Sequence, residues 1–219
     1  MTNKLAPKID KRIESIINQI SCDTLADIGC DHGMVSVVSI LRNRARRVIA
    51  CDISVDCIAK AKMLAVEFSV SDKIDFVIGD GFKAITTIPD QVVIAGLGSH
   101  TIIDILSTNI PLQKLILAPH SKSEVLRSFI NSQLWTIEKD FIVLSKGHFY
   151  PIIVVNTLKK EKPPYSADEL LWGKNFPHSD CFVKMLEKEF LKCLNFAKKT
   201  PEVLQRISLA SSLLKKYKM

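Results

Sequence analysis

Isoleucines at positions 9, 13, 16, 17 and 20 recur at helical spacing, which predicts an amphipathic helix over residues 8–20 lying on the sheet that follows. Five short apolar runs then alternate with helical patterns: TLADIG, RRVIACD, KIDFVIGD, QVVIAGLG and KLILAP. Strand-length runs separated by helices predict a parallel sheet covered on both faces. Ser54 is placed to cap the helix VDCIAKAKMLAVEF, whose apolar face is read as Ile58, Ala61, Met63, Leu64 and Ala65.

From Gln133 to Val155 the pattern becomes β-rich. The runs WTIEKDFIVLS and FYPIIVV, joined by KGH, predict an antiparallel hairpin at the sheet edge, with Pro151 marking an edge or a bulge. Five parallel units and a terminal hairpin are the layout of Rossmann-like methyltransferases. KKEKPP, residues 159–164, reads as a stiff linker. Beyond it Phe182, Met185, Leu186, Phe190, Cys193 and Ala197 share one helical face, and Val203, Ile207, Ala210, Leu214 and Tyr217 another. Pro201 suits the first turn of the second helix. The expected organisation is an α/β Rossmann-like domain over residues 1–158 and a helical, loosely coiled-coil extension over 159–219.

Composition narrows the class. Of 219 residues 47% are hydrophobic and 24% charged, as in a folded globular protein. No apolar run approaches a membrane-spanning length and the first residues lack a signal-peptide core, so the expectation is a cytoplasmic protein without membrane contact. Six cysteines without Cys-x-x-Cys or zinc-ligand spacing are read as reduced packing thiols, with no metal. The net charge of +7 is unevenly placed: 17 Lys and Arg stand against 16 Asp and Glu up to residue 156, but 13 against 7 beyond it. Such an excess suits either a polyanionic partner or a solvated helical surface.

LADIGCDHG, residues 25–33, carries the densest chemistry. Ligands of open parallel sheets sit beyond the carboxyl ends of the strands, and Gly29 and Gly33 allow close backbone approach there. A dinucleotide glycine fingerprint is absent, and two carboxylates would repel a pyrophosphate and attract a cation. S-adenosylmethionine is such a cation, and Asp27 or Asp31 is placed to hold its methionine end; a helix cap is the other reading of Asp31. Asp52 ends the second strand, where a carboxylate accepts from ribose hydroxyls, and Asp80 in VIGDGF is placed for the adenine amino group. Either could instead be a turn-forming Asp. Gly96 and Gly98 stand where amino-directed adenine methyltransferases carry Asn/Asp-Pro-Pro-aromatic. They permit a flat base to approach the methyl group, or simply form a tight turn.

LADIGCDHG, IAGLGSHTIIDIL, LILAPHSKSEVLRSFI, GHFYPIIVV and YSADELLWG occur in the order of the motifs of bacterial transfer-RNA adenine-22 N1-methyltransferases, and the resemblance covers essentially the whole chain. The core Asp-x-Gly-x-Asp-His and Ala-Gly-x-Gly are present. The family's Ser-Asp-His-Ala-Tyr-Leu-Pro is CDHGMVS here, its Ala-Gly-Met-Gly-Gly is AGLGS, and its Gln-Pro-Asn is Ala118-Pro119-His120. The resemblance implies S-adenosylmethionine as methyl donor, S-adenosylhomocysteine as product and tRNA as partner. The cofactor-binding set would be Asp27, Gly29, Cys30, Asp31, His32, Gly33, Asp52, Ile53, Asp80, Gly81, Ala95 and Gly96.

Adenine N1 carries an in-plane lone pair, so its methylation needs alignment and no general base. Asp31 and Gly96 are the expected catalytic positions on the cofactor side, with Tyr150 and Phe149 as stacking partners and His120 as a polar contact for an extruded base. For RNA the candidates are Arg42, Arg44, Arg46 and Arg47 as one patch, and Lys184, Lys188, Lys192, Lys198 and Lys199 as another. The protein is expected to be a monomer. A methyltransferase with another acceptor and a non-catalytic RNA-binding module are the competing readings.

Overall fold

The computed structural model describes residues 6–107, 112–160, 165–173 and 179–217. Its seven strands are β1 (Cys22–Ile28), β2 (Ala45–Asp52), β3 (Ile74–Ile78), β4 (Gln91–Ala95), β5 (Lys114–Ala118), β6 (Trp135–Ser145) and β7 (His148–Lys160). They form one sheet in the order β3-β2-β1-β4-β5-β7-β6. The first five are parallel, and β7 runs antiparallel to both of its neighbours. Order reverses between β1 and β4, which makes their carboxyl ends the topological switch point.

Helices cover both faces. On one side α1 (Lys11–Ile17), α2 (Met34–Leu41) and α3 (Val55–Glu67) bury Ile16, Ile17, Val37, Val38, Ile58 and Ala61 against Leu25, Val48 and Val93. On the other, α4 (Ser99–Leu106) and α5 (Ser123–Ser132) bury Ile102, Leu106, Leu126 and Ile130 against Ile28, Ile94 and Leu115. Local sequence sets the helix starts: Asp10 accepts from the Ile13 N–H at 3.0 Å and Ser54 from the Cys57 N–H at 3.3 Å. The first helix is shorter than its isoleucine pattern, although Ile9 and Ile20 still pack into the core. Met63, expected on the buried face of α3, is instead 72% exposed, because the stripe turns inward at Ile58, Ala61 and Ala65, with Leu64 packed partly buried beside them.

The hairpin forms, but its second strand is not at the edge. β7 inserts between β5 and β6, and β6 is the outer strand. Pro151 is tolerated because pairing with β5 spans only Ile153 to Asn156, so Pro151 lies opposite β6 alone. Lys159 and Lys160 of the expected linker extend β7, and residues 161–164 lie outside the described residues.

Beyond β7, α6 (Ala167–Trp172) begins with a reciprocal capping box between Ser166 and Glu169. Tyr165 is buried in the core beneath α5. Then α7 (Asp180–Leu194) and α8 (Pro201–Tyr217) pair as the predicted helical hairpin. Phe182 at the start of α7 meets Tyr217 at the end of α8 edge-on at 5.9 Å, which fixes the antiparallel sense. Trp172, Phe182, Leu186, Ala210 and Leu213 form a third cluster, closed against the sheet by Ile142 of β6.

Candidate active site

Three consecutive strand ends carry the predicted acids. The loop after β1 turns through left-handed backbone at Gly29 (φ 72°), Asp31 (φ 50°) and Gly33 (φ 73°). A β-carbon on Gly33 would stand 2.8 Å from that of Ala61, so only glycine lets α3 close on this loop. Asp52 braces the turn with both oxygens: Oδ2 accepts from the Asp31 N–H at 3.0 Å and Oδ1 from the Ser54 N–H at 2.9 Å. The exposed Asp31 carboxylate meets His32 Nδ1 at 2.6 Å and accepts from the Cys57 thiol at 3.5 Å. Asp80, after β3, pairs with Lys83 at 2.5 Å.

Asp27 differs from these acids. It is buried beneath the loop and accepts from Ser36 Oγ at 2.6 Å. Burial pushes its carboxyl up to about 6 against the Ser36 hydrogen bond, and the charges of Asp52 and Asp31 push in the same direction as burial. Cys30 and Cys51 are buried beside it. Burial, reinforced by neighbouring carboxylates, raises both thiols, Cys51 to about 11, so they remain protonated packing groups. Cys30 reaches its surroundings through its backbone, whose N–H donates to the Cys51 carbonyl at 3.1 Å. Ile53 projects 74% exposed beside Asp52. A rim of exposed carboxylate, apolar side chain and glycine-lined backbone suits a cationic nucleoside ligand.

Gly96, at the end of β4 with φ 83°, stands between this rim and a cleft of about 1110 Å³. The cleft runs from Gly96 along Pro119, His120 and the start of β7 to the facing sides of α7 and α8. Phe149 and Tyr150 lie on it, each faced by a cation. Lys188 Nζ is 5.7 Å from the Phe149 ring centre and the Arg12 guanidinium 5.0 Å from that of Tyr150. Lys122 adds positive charge to the lining, whereas Lys192 and Arg206 meet Glu189 and Glu124 there.

Residues 9–153 match a family model described as a methyltransferase domain. The chain belongs to the methyltransferase-domain family. A curated relative from Mycoplasma pneumoniae, provisionally named a tRNA methyltransferase, is 30% identical over 198 residues, covering 84% of this chain and 92% of that one. Solved structures share the fold, two of them methyltransferases. M. capricolum TrmK, in complex with S-adenosylhomocysteine, superposes with a TM-score of 0.85 at 22% identity, over 94% of this chain and 98% of that chain. The B. subtilis m1A22 tRNA methyltransferase TrmK gives 0.77 at 21% identity, over 96% and 97%.

Within the methyltransferase fold the structure brings Gly96, His120, Phe149, Tyr150, Lys188 and Lys192 to one cleft and keeps Asp31, Asp52, Ile53, Asp80 and Gly81 on the other side of the β1–β4 crevice. The arginine cluster is elsewhere. Arg44, Arg46 and Arg47 lie at the amino end of β2, opposite the site, and Arg42 follows α2. Arg42, Arg46 and Arg47 pair with Glu14, Asp23 and Asp75, so the expected free patch is largely neutralised. Lys184 and Lys198 are exposed but do not line the cleft, and Lys199 donates to the Leu194 and Phe196 carbonyls, closing the end of α7. Sequence reasoning missed Arg12, Arg127 and Arg206, all of which line the cleft.

Proposed function

We propose that this protein is an S-adenosylmethionine-dependent tRNA methyltransferase acting on N1 of adenine 22. The observation that carries the reading is the position of Gly96, with a carboxylate-rimmed nucleoside site on one side and a basic, aromatic cleft on the other. The names of the M. pneumoniae relative and of the two TrmK structures support the choice of donor and acceptor.

When bound, S-adenosylmethionine supplies an electrophilic methyl group on a sulfonium sulfur. Gly29 and Gly33 bring the backbone close to its methionine portion, Asp31 faces the cationic end, Asp52 takes the ribose hydroxyls and Asp80 the adenine amino group. Cys30, His32, Ile53, Gly81 and Ala95 complete the contact surface. The RNA base enters from the cleft, stacks on Tyr150 or Phe149 and presents N1 past Gly96, which contributes no side chain of its own. N1 attacks in line and the S–CH₃ bond breaks as the N–CH₃ bond forms. No proton leaves: the base gains the positive charge that the sulfur loses. Positioning is therefore the chief task of the protein, and Asp31 stabilises the charge as it develops. His120 contributes a polar contact to the base.

Lys188 and Lys192 meet the phosphate backbone. A cytoplasmic monomer belongs to the same reading, in keeping with a tRNA substrate. The test is methyl transfer from labelled donor to unmodified tRNA, followed by digestion to nucleosides. The expected product is 1-methyladenosine, lost when position 22 is not adenine. Label in another nucleoside would retain the donor and overturn the position; donor binding without RNA labelling would overturn the acceptor.

A further inference from the structure

The protein has seven arginines, and among the described residues five of them meet a carboxylate: Arg42, Arg46, Arg47, Arg127 and Arg206. Arg12 has no ion pair of this kind, although it is half-buried and lines the cleft. Its guanidinium lies over the face of Tyr150, 5.0 Å from the ring centre. One of its terminal nitrogens is 3.7 Å from where a β-carbon on Gly96 would stand. An unpaired planar cation is thus held at the point where the two halves of the site meet. Its holder is an aromatic ring, a partner that leaves its N–H donors largely unsatisfied.

We propose that Arg12 is a positioning residue that receives a backbone phosphate of the target nucleotide, its guanidinium being parked on Tyr150 beside Gly96 until RNA enters. The inference rests on the RNA methyl-transfer reading above. Phosphate, rather than the base, is the compatible partner on electrostatic grounds. Transfer to N1 leaves the base positively charged, and a guanidinium hydrogen-bonded to the base would oppose that step. A guanidinium on the phosphate instead fixes the extruded nucleotide through a two-point, charge-assisted contact, and its plane remains available to Tyr150. Arg12 sits on α1, a rigid element capped by Asp10 and packed through Ile16 and Ile17, so the anchor is fixed relative to β4.

The experiment compares wild type, Arg12→Gln and Arg12→Lys in steady-state methylation of tRNA over a range of salt, with donor affinity and Tm measured alongside. Arg12→Gln is expected to raise KM for tRNA roughly 10- to 100-fold, as for loss of a charged hydrogen bond. It should also make the log–log salt dependence shallower by about 0.7–0.9, equivalent to one phosphate. Donor affinity and Tm should be unchanged. Arg12→Lys should keep the salt dependence while lowering kcat, because charge is retained and the planar contact is lost. Adding Tyr150→Ala to Arg12→Gln should cost less than the sum of the two single changes.

Wild-type KM and salt dependence in Arg12→Gln would overturn the proposal. Parallel loss of donor affinity and Tm would also overturn it, by making Arg12 a packing residue. Failure of the wild type itself to methylate any RNA, with donor binding intact, would overturn the acceptor reading on which the proposal rests and is distinct from either variant outcome.

Discussion

Arg127 and Asp140 meet through two parallel hydrogen bonds, Nε to Oδ2 at 2.8 Å and Nη2 to Oδ1 at 3.1 Å, with both side chains only 1% exposed. The pair ties α5 to β6, and Nη1 of the same guanidinium donates to Ser123 Oγ at 3.1 Å and to the Leu171 carbonyl of α6 at 3.3 Å. One buried cation therefore joins the sheet, its covering helix and the first helix of the C-terminal region.

Breaking that pair from one side should be severe. Asp140→Ala leaves Arg127 charged and buried without its carboxylate, a loss of about 3–5 kcal/mol in denaturant unfolding. Arg127→Met with Asp140→Leu removes both charges and should recover much of that stability. It should still raise KM for RNA, because the contact with the α6 carbonyl is gone. Recovery of stability and RNA affinity together would mean that the ion pair does not shape the cleft.

The pair also shows what a linear sequence conceals. Arg127 sits in an amphipathic helical pattern that suits an exposed polar face, and its partner lies thirteen residues on, in a strand whose register no local pattern specifies. Strand-end acids were legible because period and position both mark them: an apolar run ends, an Asp follows, and the next run starts. The arginines of LRNRARRV are less free than their sequence suggests, for the converse reason. Their density is local, whereas Glu14, Asp23 and Asp75, which neutralise three of them, come from other elements. Arg12 was illegible because a single charge on an amphipathic helix looks like any solvated residue until Tyr150 and Gly96 are brought beneath it.

Asp27 should make stability depend on pH. Its carboxyl is ordinarily near 3.8 and is pushed up to about 6 in the folded protein. Between these values the folded state holds a proton that the unfolded state has lost, so stability falls as pH rises through the window and the penalty is complete above about 6. A shift of this size corresponds to about 3 kcal/mol. Asp27→Asn should therefore raise Tm at pH 7.5, match wild type near pH 4, and flatten the profile between. Donor binding places a cation near the charged form and should release a proton near pH 6, measurable as a buffer-dependent heat in calorimetry.

Gly33→Ala tests the close approach of α3. Left-handed backbone costs an alanine roughly 1–2 kcal/mol, and its β-carbon would lie 2.8 Å from that of Ala61. The expected result is weaker donor binding at unchanged RNA affinity. Ala61→Gly in the same chain should recover part of the loss, since it removes the β-carbon but not the backbone strain. No recovery would place the constraint in backbone conformation alone.

The lysines of the C-terminal helices should separate by position rather than by charge. Lys188 and Lys192 line the cleft, Lys192 in an exposed ion pair with Glu189 at 3.4 Å that a phosphate would have to replace. Replacing both by Ala should make the salt dependence of RNA binding shallower by about 1.4–1.8, with donor affinity unchanged. Lys199 carries the same charge a short distance along the chain, but its ammonium is bound to two carbonyls at the end of α7. Lys199→Ala should lower Tm by loosening that helix end and leave the salt dependence near wild type. Equal effects of all three lysines on the salt dependence would mean that RNA reads the extension as a diffuse positive surface, without the cleft as a guide.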